Sequence, residues 1–169
     1  RGPSIPAVPM NPQDASNAPA NVDPRDLIYT PTTLDVLPAV SPDPALIEIL
    51  DQGPTSANVG FALAAVLSYL RAERGIRERL SPFFLYDNAR RYDEWAATEH
   101  EGSSLRGGLK GLSRHGAALE RDMPSAPRFQ AELKRNPQDK ALPITAVELS
   151  TEAEERALGC HDFVAYLDN

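Results

Sequence analysis

Cysteine occurs once, at Cys160, so the chain can build neither an internal disulfide framework nor a metal site of several thiolates. Cys160 reads as a buried free thiol. Histidine is nearly as scarce. His100, His115 and His161 do not have metal-ligand spacing, and no zinc or other cofactor is expected. Positive charge is in deficit, leaving a net charge of -7. A nucleic-acid partner needs a basic face to neutralise phosphates, and an anionic membrane surface makes the same demand, so both are disfavoured. Long hydrophobic runs are missing too. The most apolar uncharged stretch, Pro54 to Leu70, falls short of the roughly 20 residues a helix needs to span a bilayer. The sequence has neither an initiator Met nor a basic segment leading into an apolar run. It therefore reads as a processed chain or a piece of a larger protein.

What is present suits a soluble globular protein: 41% hydrophobic and 24% charged residues in a chain of 169, enough for one core. Ten of the sixteen prolines lie in residues 1–44, and large apolar side chains are sparse at the start. Residues 1–22 are thus expected to be a Pro-rich flexible arm and 23–169 a single domain. Leu34, Val36, Leu37 and Val40 suggest an irregular strap over a core, and Asp51-Gln-Gly-Pro a turn. From Thr55 or Ser56 to about Arg74, before Gly75, the pattern predicts a helix apolar almost all round and therefore buried. Further helices are predicted from Ser81-Pro82 to Trp95, from Ser103 or Ser104 to His115-Gly116, over Pro127 to Lys134, and over Thr151 to Leu158 with Ser150 as cap. A strand over Ile144 to Leu149 and a start of helix over Asp162 to Leu167 complete the expectation.

Three segments in order carry a family resemblance. Asp51-Gln-Gly-Pro-Thr-Ser-Ala-Asn-Val-Gly-Phe-Ala-Leu-Ala-Ala-Val resembles the active-site helix entrance of papain-like cysteine peptidases, in which Asp-Gln-Gly precedes the nucleophilic cysteine by four intervening residues. Asn58 stands where that cysteine would be. Ser81-Pro-Phe-Phe-Leu-Tyr is similar to the segment opening the family's next helix. Tyr92-Asp-Glu-Trp, followed by Glu101-Gly-Ser-Ser-Leu-Arg-Gly-Gly-Leu-Lys-Gly-Leu and Arg114-His-Gly, resembles the glycine-serine substrate loop and helix of the bacterial branch. Together these span about residues 23 to 120. The resemblance implies an α+β papain-like fold. This chain would form mainly its α-helical half around a buried central helix, with the C-terminal β half expected to be absent.

The resemblance also implies roles. A thiolate at the helix N-terminus would be stabilised by unpaired N–H groups and the helix dipole. Gln52 would occupy the oxyanion-hole position, where a donor is worth about 2.7–4 kcal/mol in other enzymes. Gly102 and Ser103 would expose backbone to an extended peptide. Asn58 cannot replace cysteine, because its amide does not ionise near neutrality and forms no acyl-enzyme that water releases. The plainer reading of Asn58 is that it caps or lines a helix start.

The family's histidine and asparagine would lie roughly 130 to 150 residues past the nucleophile, farther than this sequence runs beyond Asn58. His161 sits in what reads as a short helix, His115 as a helix C-terminal residue favoured by the dipole, and His100 in a solvated loop. Asp93, Glu94, Glu99 and Glu101 read as a solvated acidic face.

The leading expectation is a catalytically inactive papain-like domain. It would bind protein or peptide, or serve as a structural module of a larger bacterial protein, cytoplasmic or secreted. Its partner would be a polypeptide or the missing C-terminal half of its own fold. Two alternatives stay open: a cysteine endopeptidase fragment inactivated by a Cys-to-Asn change at position 58, and a module of a secreted toxin or effector polyprotein.

Overall fold

Two residues that each satisfy the other set where the first helix begins. In the computed structural model, which describes residues 41–93, 101–135, 142–144 and 149–159, the Thr55 hydroxyl donates to the Gln52 carbonyl (2.8 Å) and Gln52 Nε2 to the Thr55 carbonyl (3.0 Å). This closes a turn, and helix α1 starts only at Asn58, running to Glu73. The predicted start at Thr55 or Ser56 is therefore too early. The N-cap is Ala57, with no side-chain cap, so Asn58 is the first helical residue and not its cap. At the other end Gly75 takes φ +79. The Ile76 and Gly75 N–H groups return to the Arg71 and Ala72 carbonyls (both 2.9 Å), the glycine-terminated pattern expected from sequence.

Helix α1 is not buried all round. Val59, Leu63, Ala64 and Leu67 form its buried stripe, while Val66 is 57% exposed on the outer side with Ala62. The element buried throughout is helix α2, Pro82–Arg91, in which every residue from Pro82 to Arg90 is buried. Ser81 opens it as N-cap, its Oγ accepting from the Phe84 N–H (3.3 Å), and Pro82 occupies the first turn. Helix α3, Leu105–His115, is capped by Ser104 and ends at Gly116.

α1 and α3 flank α2. The contacts are close because glycines lie at the crossings. A Cβ at Gly60 would stand 2.3 Å from the Pro82 carbonyl oxygen, and one at Gly107 2.6 Å from that of Ala89. Backbone therefore meets backbone where any side chain would hold the helices apart. Val59, Leu63, Leu67, Leu80, Leu85, Ala89, Leu112 and Leu119 form the main core. Phe83 and Tyr86 form a second cluster with Phe61 and Phe129.

Helix α4, Ser125–Lys134, packs on α2. Helix α5, Thr151–Leu158, is capped by Ser150, and its Ala157 carbonyl accepts from the Ala117 N–H (3.0 Å). Leu80 and Leu119 form an isolated antiparallel bridge. Among the described residues the regular elements are otherwise helical, in keeping with a helical half. None of these helices is long and apolar enough to cross a membrane. The expected arm and strap, Trp95, Cys160 and the 162–167 segment lie outside the described residues, as does most of the expected strand over 144–149.

The crossing of α1 and α2 generates a prediction. Gly60→Ala should destabilise the fold by about 1–3 kcal/mol, the usual range for forced overpacking. Gly75→Asn meets nothing within 4 Å and keeps a residue tolerant of positive φ, so it should lose less than about 1 kcal/mol. Urea unfolding of both variants against the parent measures the difference.

Candidate functional site

The turn over residues 51–57 joins Gln52 to the start of α1 at Asn58. Asp51 Oδ1 accepts from the Gly53 N–H (2.7 Å), and Gly53 takes φ +56 beneath the Phe129 ring. Ala57, wholly buried, packs with Phe83 and Tyr86. Asn58 follows at the first position of α1, half-buried, with its Oδ1 shielded from solvent. No acidic side chain lies in the first turn of α1, so none there offsets the positive end of the helix dipole. Gln52 is half-buried, and its amide nitrogen is engaged by the Thr55 carbonyl within its own turn.

A second segment, 101–104, comes alongside. Ser56 Oγ donates to Glu101 Oε2 (3.3 Å), tying this segment to the α1 entrance. The Tyr86 hydroxyl donates to the Glu101 carbonyl. Burial pushes the Tyr86 phenol up to about 12, with Arg90 opposing, so it remains a donor throughout the neutral range. At the far side, the Asp93 carboxylate accepts from the Ser104 N–H (2.6 Å) and from Ser104 Oγ (2.9 Å).

Gly102 and Ser103 thus form a two-residue bridge held at both ends. Neither makes a backbone–backbone hydrogen bond among the described residues. Ser103 is only 5% exposed, and its Oγ has no partner there. The Ser103 hydroxyl is closed off from solvent.

Asp93 and Glu101 are accordingly engaged by specific partners, although the Glu101 side chain is still 39% exposed. Asp93 holds the start of α3, and Glu101 pairs with Arg135 at 2.6 Å. Sequence reasoning missed both, together with Tyr86 and Arg135, because their partners lie far along the chain. Glu94 and Glu99 are outside the described residues.

The histidines do not join this site. His100 and His161 lie outside the described residues, and His115 sits at the opposite end of α3 from Ser104. His115 Nε2 is 2.7 Å from Tyr92 Oη, and the Arg114 guanidinium lies over the Tyr92 ring. Burial lowers the imidazole pKa, with Arg91 and Arg114 adding to the effect and Glu154 opposing it. His115 is the last residue of α3, as expected, but burial outweighs the helix dipole and holds its imidazole pKa below the ordinary value. Among the described residues no cluster of His, Cys, Asp and Glu could hold a metal ion.

A cavity of about 210 Å³ opens beside this turn, between residues 49–51, α1, α2 and α4, lined by Phe61, Phe83 and Phe129. Its polar rim is already engaged. Glu120 accepts from the Ser125 N–H and Oγ (2.8 and 2.7 Å), and Arg79 pairs with Glu48 (2.9 Å).

The lowered His115 pKa fixes a pH dependence. As pH falls through the unfolded value of about 6.5, the unfolded chain takes up a proton that the folded chain resists. Stability contributed by neutral His115 is present above that pH and is lost below it, until the folded value is passed. Melting temperatures between about pH 7.5 and 5 should fall more steeply for the parent than for His115→Gln.

No family model matches the sequence, and none of the curated proteins matches it. Among solved structures, the chain is similar to xylellain, a cysteine protease from Xylella fastidiosa, with a TM-score of 0.58 and 25% sequence identity over 85% of this chain and 54% of that one. The chain spans about half the length of that protein. The likeness is to a bacterial papain-like cysteine protease, and it supports the resemblance carried by the sequence motifs.

Proposed function

We propose that this chain is a papain-like domain that binds an extended polypeptide along Gly102 and Ser103, beside the α1 entrance, without thiol-peptidase chemistry. The observation that carries the reading is the bridge itself. It is fixed at Glu101 and Ser104, and among the described residues neither Gly102 nor Ser103 makes a backbone–backbone hydrogen bond. An extended peptide supplies alternating N–H and C=O groups to such a segment. On this reading the N–H groups at the start of α1, with the Gln52 amide hydrogen not given to the Thr55 carbonyl, would be the donors for a peptide carbonyl.

The inactivity follows from Asn58. The position sits at a helix N-terminus, where a thiolate would be stabilised. A carboxamide has no ionised form to stabilise there and no leaving chemistry for an acyl intermediate.

Two measurements test the reading. A fluorescent, unstructured peptide library should bind the parent, and Gly102→Trp should weaken binding about tenfold or more while leaving the melting temperature close to the parent's. Absence of binding by the parent sinks the proposal. Asn58→Cys should carry a thiol with a pKa below the ordinary value of about 8.5, measured as the pH dependence of alkylation against a background in which Cys160 is replaced by Ser. An ordinary or raised value would remove position 58 from the nucleophile's place.

A further inference from the structure

We propose that Arg135 is a positioning residue for the Gly102–Ser103 bridge, acting through Glu101 at the end of an ion-pair chain anchored in α2. The chain begins at Asp87, 2% exposed in the middle of α2. Its Oδ1 meets Arg128 Nη2 at 3.2 Å, the two side chains being 3% and 11% exposed. Arg128 reaches Glu132 (3.4 Å), and Glu132 reaches Arg135 (3.4 Å). These residues lie on one face of α4 and the turn that follows it. Arg135 then pairs with Glu101 Oε1 at 2.6 Å.

Glu101 has two further attachments. Glu101 Oε2 accepts from Ser56 at the α1 entrance, while its carbonyl accepts from Tyr86 on α2. Residue 101, immediately before the bridge, is therefore fixed from the turn before α1, from α2 and from the residue that ends α4. Removing one member of a buried pair leaves an uncompensated charge, so the Asp87 end gives α4 a firm seat. The Glu101 end is different. Its side chain is 39% exposed, so added salt screens this pair more than the buried one. The chain thus runs from a rigid anchor to an adjustable contact, and the adjustable contact is at the bridge.

The functional consequence rests on the peptide-binding reading above. A pre-organised bridge loses less entropy on binding a strand, so Arg135 would raise affinity without touching the peptide.

Hydrogen exchange resolved at the Ser104 amide tests the positioning. R135E should accelerate exchange at the Ser104 amide, which closes the bridge on Asp93, about tenfold or more, with the amides of α2 unchanged. An unchanged rate in R135E overturns the proposal. If charge reversal prevents folding, the parent and Arg135→Gln are compared between about 0.05 and 0.5 M salt. Exchange at Ser104 should rise with salt in the parent and stay flat in the variant, and a flat parent overturns the proposal. Peptide affinity measured on the same proteins separates the two readings. Exchange that follows Arg135 while no protein binds peptide upholds positioning and ends the peptide reading. Peptide binding blocked by Gly102→Trp, with exchange indifferent to Arg135, does the reverse.

Discussion

The near-contact of three helix backbones is the constraint on which the rest depends. α2 is buried along its length because Gly60 of α1 and Gly107 and Gly111 of α3 let its neighbours come within a distance that no Cβ allows. Contact this close leaves no room for water at the crossings. Polar side chains on α2 must therefore find partners in the protein or carry a desolvation penalty. Asp87 is met by Arg128, and Arg90 donates to the Leu142 carbonyl (2.7 Å) and lies against the Tyr86 ring. Tight packing of α2 thus recruits α4 and the segment at 142–144 into the same frame.

That frame also places the candidate site. Tyr86 sits on α2 one turn from Arg90, and its hydroxyl fixes the Glu101 carbonyl. Asp93 follows α2 and fixes Ser104. The bridge between them is suspended from the helix buried along its length, although its own two residues are irregular. A recognition loop hung from a rigid scaffold is the usual division of labour between a fold and its site. Here the scaffold's rigidity has an identifiable source in glycine.

Local signals were legible in the sequence. Ser81-Pro82, Ser104 and Ser150 each cap the helix expected to follow, and Gly75 and Gly116 end the helices before them. Such devices act within a few residues, so a linear reading captures them. The start of α1 escaped because Gln52 and Thr55 bond each other reciprocally, and this closed turn occupies residues whose composition suits a helix equally well. The exposure of Val66 escaped because an alanine-rich helix shows similar apolarity on both faces, and only the placement of α2 and α3 decides which is covered. Asp93 and Glu101 looked like a solvated acidic face because neither of their partners, Ser104 and Arg135, is a near neighbour in sequence. The glycine triplet of α3 was visible as part of a motif. Its role as a helix-crossing surface required knowing that α2 lies against it.

On the proposed reading, one substitution separates binding from turnover. Donors arranged around a peptide carbonyl accelerate cleavage only when they hold the developing oxyanion more strongly than the carbonyl. That oxyanion forms only after a nucleophile adds. With Asn58 at the first position of α1, the helix field and the side chain of Gln52 act on a carbonyl that never becomes tetrahedral. Their contribution then remains in the ground state, where it strengthens association. The geometry that would serve catalysis beside a cysteine serves retention beside an asparagine, and the rigid suspension of Gly102 and Ser103 suits retention equally well, since a held strand gains from a pre-set edge whether or not it is cut.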